Sequence, residues 1–180
     1  MEGERSLLER VLQHDQQALA EVHDHYFDRI YRYLSYRLGE PEAAADLTGE
    51  VFLALIKALK TGKPPRTSLS GWLYGVARNL AADYIKEQTR TIPLMEDLVA
   101  DEPSLTDQVQ LAELGPVLRN ALLKLTEEQQ HVIALRFGQE LSLAETAQLM
   151  DKTVGAVKAL QHRALVSLAR FMPREVHRDG

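Results

Sequence analysis

The sequence lacks cysteine entirely over its 180 residues. Disulfides, cysteine-based zinc sites and a thiol nucleophile are therefore excluded, and the composition fits a reducing compartment. Long apolar runs are also lacking, since none approaches the ~20 residues that a membrane-spanning helix needs. The first residues do not show the basic stretch followed by an apolar one that marks a secretory signal. We therefore expect a cytoplasmic protein.

Strand signals are scarce as well. Alternating Val, Ile and Thr runs and Asn-Gly turns do not occur, whereas Leu, Ala, Glu, Gln and Arg dominate, which predicts an all-α fold. The chain is long enough for two small domains. It has no clustered histidines, no glycine-rich phosphate loop and no paired-carboxylate site with a supporting base. The sequence therefore predicts no metal, no cofactor and no enzymatic activity.

Charge of the two signs is segregated along the chain. Residues 60–90 hold six basic and two acidic groups, and residues 129–180 hold seven and five. Residues 1–59 hold six basic and eleven acidic groups, and residues 91–128 hold two and eight. Because DNA affinity depends on local neutralisation of phosphates, such a chain can bind DNA although its net charge is −5.

The segment from residue 141 to residue 172 predicts two short helices joined by a tight turn. Ser142 and Glu145 form a capping-box pattern at the first helix, and Thr153 caps the second. The second helix is basic and begins with the small pair Gly155-Ala156, so its first turn can enter the major groove of DNA. A helix-turn-helix is the sharper interpretation. An ordinary helical hairpin is the alternative for this segment taken alone.

Helical periodicity extends over the first half of the chain. It predicts a helix over Ser6–Gln13, a second from Asp15 or Gln16 to Leu38, and a third that Pro41 opens and that ends at Lys60. The basic, proline-containing segment Thr61–Ser70 is predicted to be a loop, with Ser70 capping the next helix.

Single residues in this half also suggest roles. The next helix carries Trp72 and Tyr74, which could stack on bases. His23 and His25 diverge on a helix, so we interpret them as surface residues rather than metal ligands.

The second half begins with an acidic, proline-interrupted segment. We predict an interdomain linker at about residues 88–106, a short helix over Thr106–Leu114 and another over Leu118–Leu125. A capping box at Thr126 and Gln129 starts a helix that ends near Phe137. This helix is expected to pack on the helix-turn-helix through three apolar side chains, those of Val132, Ile133 and Leu135.

Three segments in this order resemble the extracytoplasmic-function (ECF) sigma factors of bacterial RNA polymerase. The segment EAAADLTGEVFLALIKAL resembles the family's helix for binding core polymerase. The segment SGWLYGVARNLAADYIKEQTR resembles its −10 promoter segment, and LLKLTEEQQHVIALRFGQELSLAETAQLMDKTVGAVKALQHRALVSLAR resembles its −35 domain. The resemblance implies two small helical domains: a region 2-like bundle over 1–88 and a region 4-like helix-turn-helix over 108–172. A linker over 89–107 joins them, and 173–180 form a tail.

The function implied by the resemblance is that of a non-enzymatic specificity subunit. Such a protein binds core RNA polymerase, recognises −10 and −35 promoter elements and promotes transcription initiation. Its expected partners are core polymerase, promoter DNA as −35 duplex and melted −10 strand, and an anti-sigma factor. The alternative is a helix-turn-helix transcriptional regulator that works without polymerase, which the C-terminal domain alone would allow.

The resemblance also assigns site residues position by position. Contacts to −35 DNA fall on Thr153, Gly155, Ala156, Lys158, Ala159, Gln161 and Arg163. Contacts to −10 DNA fall on Lys63, Arg66, Trp72, Arg78, Asn79, Asp83 and Lys86. Contacts to core polymerase fall on Asp46, Leu47, Glu50, Val51 and Phe52. The loop Thr61–Ser70 corresponds to the family's pocket for a flipped base of the −10 strand.

Overall fold

The computed structural model describes residues 2–91 and 107–173. Within these two ranges the chain forms eight α-helices and one π-helical turn, with no strand, as the sequence predicts. The helices are α1 Glu2–Leu12, α2 Gln16–Leu38, α3 Pro41–Lys60, α4 Leu69–Thr91, α5 Asp107–Leu123, α6 Glu127–Ile133, α7 Leu143–Met150 and α8 Val154–Phe171, and the π-helical turn spans Ala134–Gly138. None of the helices within these ranges is long and apolar enough to cross a membrane.

Helices α1 to α4 form a bundle whose ends are set by local signals. The Asp15 carboxylate accepts a hydrogen bond from the backbone of Gln17 at 2.9 Å, and Gly39 ends α2 with a φ of 69°. Pro41 occupies the first turn of α3, where its missing N–H costs nothing. The core of this bundle includes Val11, Val22, Ile30, Leu34, Val51, Leu55, Leu69 and Leu73. Burial of each such side chain contributes roughly 1.5–3 kcal/mol to folding.

Helices α6 to α8 enclose a second, smaller core. It contains Val132 and Ile133 from α6 and Val157, Leu160 and Ala164 from α8. Both predicted capping boxes are present, at the start of α6 and of α7, and the Thr153 hydroxyl accepts from the backbone of Ala156 at 3.1 Å. The predicted helix-turn-helix is therefore α7, a turn at Asp151, and α8.

The two cores are joined by the π-helical turn. Ala134 and Leu135 belong to the first core, so Leu135, unlike Val132 and Ile133, is part of the bundle core rather than of the second core. A π-helical turn has more residues per turn than an α-helix, and the side chains that follow it therefore point to a different face. Leu141, Leu149 and Met150 also pack against the first core. The helix-turn-helix unit is thus docked on the N-terminal bundle.

Several predicted boundaries differ from the structure. Helix α1 begins at Glu2 rather than Ser6, and α4 begins at Leu69, with Ser68 rather than Ser70 as the capping residue. The separate helices predicted on either side of Pro116 are one continuous helix, α5, which contains the proline although Pro116 has no N–H to donate. Most of the predicted linker and tail, residues 92–106 and 174–180, lies outside the described residues.

Candidate nucleic-acid and polymerase interfaces

The first turns of α8 form an exposed surface with basic side chains. Helix α8 buries one side against α6 and α7 and exposes six of the seven residues predicted to contact −35 DNA: Thr153, Gly155, Ala156, Lys158, Ala159 and Arg163. A methyl group placed on Gly155 would meet nothing within 4 Å. Small residues and open space at the start of a helix are what close approach to a DNA groove requires.

Gln161, the seventh predicted residue, is placed differently. It is half-buried, and its side-chain oxygen accepts a hydrogen bond from Nε of Arg136 at 2.7 Å. Arg136 also donates to the backbone oxygen of Leu141, so it ties α8 to the segment before α7. In this structure Gln161 therefore serves the packing of the helix-turn-helix, with its oxygen occupied by a neighbouring arginine.

One exposed residue of α8 was missed by the sequence interpretation. His162 is exposed and lies four residues after Lys158, so the two side chains share a helix face. The spacing alone could have found it. Lys152, just before α8, is instead paired: its Nζ lies 2.7 Å from Oε1 of Glu128 and lowers the pKa of that carboxyl.

A second polar surface runs along α4. Trp72, Asn79, Asp83 and Lys86 follow one another at spacings of seven, four and three residues, which places them on one face of the helix. Asn79, Asp83 and Lys86 are exposed, and Trp72 is half-buried against the core. The preceding loop adds the exposed side chains of Lys63 and Arg66. Six of the seven residues predicted for −10 DNA thus lie on this stripe or its adjoining loop.

Two other residues of α4 face the C-terminal helices, α6 to α8, and the segment that joins them. Tyr74 is 4% exposed, contacts the ring of Tyr33 edge-on at 5.5 Å and donates from its hydroxyl to the side-chain oxygen of Gln139 at 3.0 Å. The interpretation of Tyr74 as a base-stacking residue is therefore wrong, because its ring is buried. Arg78 is also turned this way, with Nε at 3.6 Å from Oε1 of Glu127.

Helix α3 presents an exposed face that carries two acidic side chains and one apolar side chain. Asp46 and Glu50 are exposed as predicted, and Phe52 is half-buried. Leu47 and Val51 belong to the buried core, so their side chains cannot contact a partner and this part of the prediction is wrong. The sequence interpretation missed Leu53, which is 65% exposed and lies seven residues after Asp46 and three after Glu50. That spacing places it on the same face.

The two halves of the protein are the N-terminal bundle, α1 to α4, and the C-terminal helices, α6 to α8. The contact between them is held by buried polar groups that the sequence did not reveal. Arg37 of α2 donates to both carboxylate oxygens of Glu127, at 2.7 and 2.9 Å, and to the side-chain oxygen of Gln130 at 2.9 Å. The Tyr33 hydroxyl lies 2.6 Å from Nδ1 of His131. These pairs join residues 90 or more positions apart, and no local pattern connects them.

The fold, a helix-turn-helix docked on a helical bundle, places the chain among the all-helical DNA-binding proteins. Comparison with known families agrees: the Sigma-70 region 2 model matches residues 22–91, and the Sigma-70 region 4 model matches residues 121–170. The chain is 37% identical over 171 residues to the ECF RNA polymerase sigma factor BldN of Streptomyces coelicolor, covering 93% of this chain and 65% of BldN.

One further relative supports the same assignment, and a solved structure shows the same fold. The chain is 30% identical over 175 residues to the ECF RNA polymerase sigma factor SigW of Bacillus subtilis, covering 91% of this chain and 93% of SigW. A solved structure of CnrH in complex with the cytosolic domain of CnrY shares the fold, with a TM-score of 0.61, 21% identity and coverage of 93% and 95% of the two chains. The chain belongs to the ECF sigma factors of RNA polymerase.

Proposed function

We propose that this sigma factor joins core RNA polymerase, directs it to promoters through a −35 and a −10 element, and promotes opening of the DNA. The supporting observation is the separation of three exposed faces: the basic start of α8, the polar stripe of α4 with its loop, and the acidic face of α3. Two faces suit DNA and one suits protein.

The start of α8 is the surface for −35 duplex DNA. Lys158 and Arg163 are exposed cations that can hold phosphates, and phosphate contacts set the register of a protein on the duplex. An arginine can also specify guanine through two hydrogen bonds in the major groove. Ala156 and Ala159 add small apolar contacts of the kind that recognise a thymine methyl group.

The stripe of α4 and the preceding loop are the surface for the melted −10 strand. Lys63 and Arg66 neutralise backbone phosphates, Asn79 donates to and accepts from base edges, and Trp72 offers an aromatic surface. Stacking of one base on an aromatic side chain contributes ~1–3 kcal/mol. A few captured bases then offset the free energy of unpairing, so strand opening needs no nucleotide hydrolysis by this chain.

The exposed face of α3 is the surface for core polymerase. Asp46 and Glu50 precede Leu53 on one face of α3, so this face combines negative charge with an exposed apolar side chain. Such a face fits a partner surface that carries basic residues beside an apolar one. Leu47 and Val51 hold α3 in the bundle and support this face from behind.

We further propose that an anti-sigma factor regulates the protein by covering one or more of these faces. The CnrH structure, which shares this fold, contains the cytosolic domain of CnrY. We infer a non-enzymatic role in the cytoplasm, because a subunit that selects promoters acts where the polymerase and the chromosome are.

The test is run-off transcription with purified core polymerase and genomic fragments. We expect discrete transcripts that require this protein, and retention of core polymerase in a pull-down. Tight binding to duplex DNA without retention of core polymerase would instead support a polymerase-independent helix-turn-helix regulator.

A further inference from the structure

A side chain of the first helix is bound to the start of the helix that carries the −10 residues. Oε1 of Glu4 accepts three hydrogen bonds: from the backbone N–H of Ser70 at 2.9 Å, from the Ser70 hydroxyl at 2.9 Å and from the Ser68 hydroxyl at 3.2 Å. Glu4 and Ser70 lie 66 residues apart in the chain.

The first turn of α4 needs a hydrogen-bond acceptor for the backbone N–H of Ser70. The first N–H groups of a helix have no partner within the helix. Ser68 satisfies Gly71 through its hydroxyl at 3.0 Å and Trp72 through its backbone oxygen at 3.2 Å, which leaves the N–H of Ser70. The first turn of α4 contains no acidic residue, so the negative charge that a helix N-terminus favours comes from α1. Hydrogen bonds to a carboxylate are roughly twice as strong as neutral ones.

Glu4 is itself held in a rigid element. Leu8 and Val11 of α1 are buried in the first core. Arg10, near the end of α1, pairs with Asp15 and Glu21 at 3.0 Å each. The position of the Glu4 carboxylate is therefore set by the packing of α1 on the bundle.

The loop before α4 is anchored at both ends. At its start, the N–H of Lys63 donates to the backbone oxygen of Ala58 at 2.9 Å. At its end, the hydrogen bonds of Glu4 hold Ser68 and Ser70. A cleft of about 540 Å³ lies between α1, this loop and α7, and Glu4, Arg66, Ser68 and Gln148 are among its lining residues.

We propose that Glu4 is a positioning residue for −10 recognition. It fixes the loop 61–68 and the first turn of α4, and with them Arg66 and Trp72, in the geometry that discriminates among bases of the opened strand. This inference rests on the proposed function, because it assigns a role within the same −10 surface. Helix α1 thereby becomes part of promoter selection although it lies outside the matched region 2 segment, which begins at residue 22.

The test compares base discrimination, which a general loss of stability does not change. Holoenzymes assembled from core polymerase and each variant are presented with promoter fragments randomised over the −10 element, and the bound fragments are sequenced. Glu4→Ala should reduce the enrichment of the favoured base over the others by about fivefold to tenfold at one or more −10 positions. Glu4→Gln should restore most of it, because the amide oxygen can accept from the same donors.

Two further variants are matched controls. Glu9→Ala removes an exposed α1 carboxylate whose partner is Arg5. Leu55→Ala removes a side chain of α3 that is buried in the same core, and it lowers the melting temperature without touching the helix that holds Glu4. Both should keep the wild-type enrichment ratios. If Glu4→Ala folds poorly, Ser70→Ala removes one of the three donors and should give a smaller loss in the same positions.

The inference is overturned if Glu4→Ala keeps the wild-type ratios, or if Leu55→Ala flattens them equally. Failure of the proposed function has a different signature: the wild-type protein would then enrich no −10 sequence with core polymerase at all.

Discussion

The hydroxyl of Tyr33 in α2 lies 2.6 Å from Nδ1 of His131 in α6, and both side chains are buried where the two halves of the protein meet. Arg37 donates to the same hydroxyl at 3.4 Å, and burial raises the pKa of Tyr33 to about 12. The hydroxyl therefore stays protonated and donates a hydrogen bond to Nδ1. Burial, aided by the charges of Arg78 and Arg37, lowers the pKa of His131 to about 3. His131 is thus a neutral acceptor at neutral pH.

This arrangement predicts a loss of stability in mild acid. The unfolded chain binds a proton at His131 below its ordinary pKa of about 6.5, whereas the folded chain does so only near 3. Neutral His131 therefore makes its full contribution to the free energy of unfolding above pH 6.5. This contribution is lost as the pH falls toward 3, by up to ~1.4 kcal/mol per pH unit. Urea unfolding between pH 7.5 and 4.5 measures the slope of the free energy of unfolding against pH.

The acidic residues of the chain add their own pH dependence, so the comparison is made with variants. His131→Gln should reduce the slope below that of the wild type, and His162→Gln, at an exposed position of α8, should leave it unchanged. Identical slopes for wild type and His131→Gln would contradict the assignment.

Glu127→Ala should loosen the contact between the two halves. The Arg37 side chain is only 1% exposed, and removal of its carboxylate partner leaves a buried charge held by Gln130 and Tyr33 alone. Because the Glu127 side chain is 35% exposed, the expected cost is ~1–3 kcal/mol, below the ~3–5 kcal/mol for breaking a fully buried pair. Small-angle scattering should show the halves separating at a lower urea concentration than in the wild type.

Its sequence neighbour is the control. Glu128→Ala breaks the partly exposed pair with Lys152, which should cost only ~0–1 kcal/mol. Equal effects of the two substitutions would show that the Arg37–Glu127 contact does not hold the halves together.

Lys158→Ala should weaken binding to −35 duplex DNA by about 1–3 kcal/mol and, if Lys158 contacts a phosphate, lower the salt slope by about one. Fluorescence anisotropy at several salt concentrations gives both values. Lys152→Ala is the comparison, because its ammonium is already paired with Glu128. A Lys158 variant with wild-type affinity and slope would exclude this residue from the −35 surface.

Asn79→Ala should impair strand opening more than closed-complex binding. Its side chain lies on the exposed stripe of α4. In the proposed function this stripe contacts DNA only after the −10 bases are unpaired. Permanganate footprinting reports the open complex, and a gel shift at low temperature reports the closed one. Asn120→Ala, at an exposed position of α5, should change neither. Equal losses in the two assays for Asn79→Ala would argue against a role in opening.

Asp46→Arg should weaken binding of core polymerase at least tenfold while the circular dichroism stays native. The side chain is exposed, so reversing its charge disturbs the proposed partner and not the core. Glu9→Arg makes the same change on α1 and should retain binding. A native Asp46→Arg variant that still binds core polymerase would place the polymerase surface elsewhere.

Helix ends were predictable where the signal lies within a few residues. Gly39 ends α2, and the Ser142 and Thr126 capping boxes open α7 and α6, because each satisfies backbone groups of its own helix turn. The start of α4 was misplaced for the opposite reason. Ser68 and Ser70 are both suitable caps by sequence, and the choice depends on Glu4, which satisfies the N–H of Ser70 from another helix.

Site residues divide in the same way. The exposed side of α8 follows from apolar spacing, so the exposure of Lys158 and Arg163 was predictable. Leu47 and Val51 were assigned to a partner surface by their position in a family motif, although their spacing places them in the core. Gln161 was assigned to DNA, and its engagement by Arg136, 25 residues away, has no sequence signature.

The sequence by itself determined the helices, their caps and which stripe of each helix is apolar, because capping and periodicity act over one or two turns. It also carried the three motifs that identify a sigma factor. Only the tertiary structure decided that Arg37 pairs with Glu127, that Tyr33 meets His131 and that Glu4 holds the start of α4. Those outcomes depend on which polar groups lose water together when distant helices pack, and the strength of each pairing is set by that shared burial.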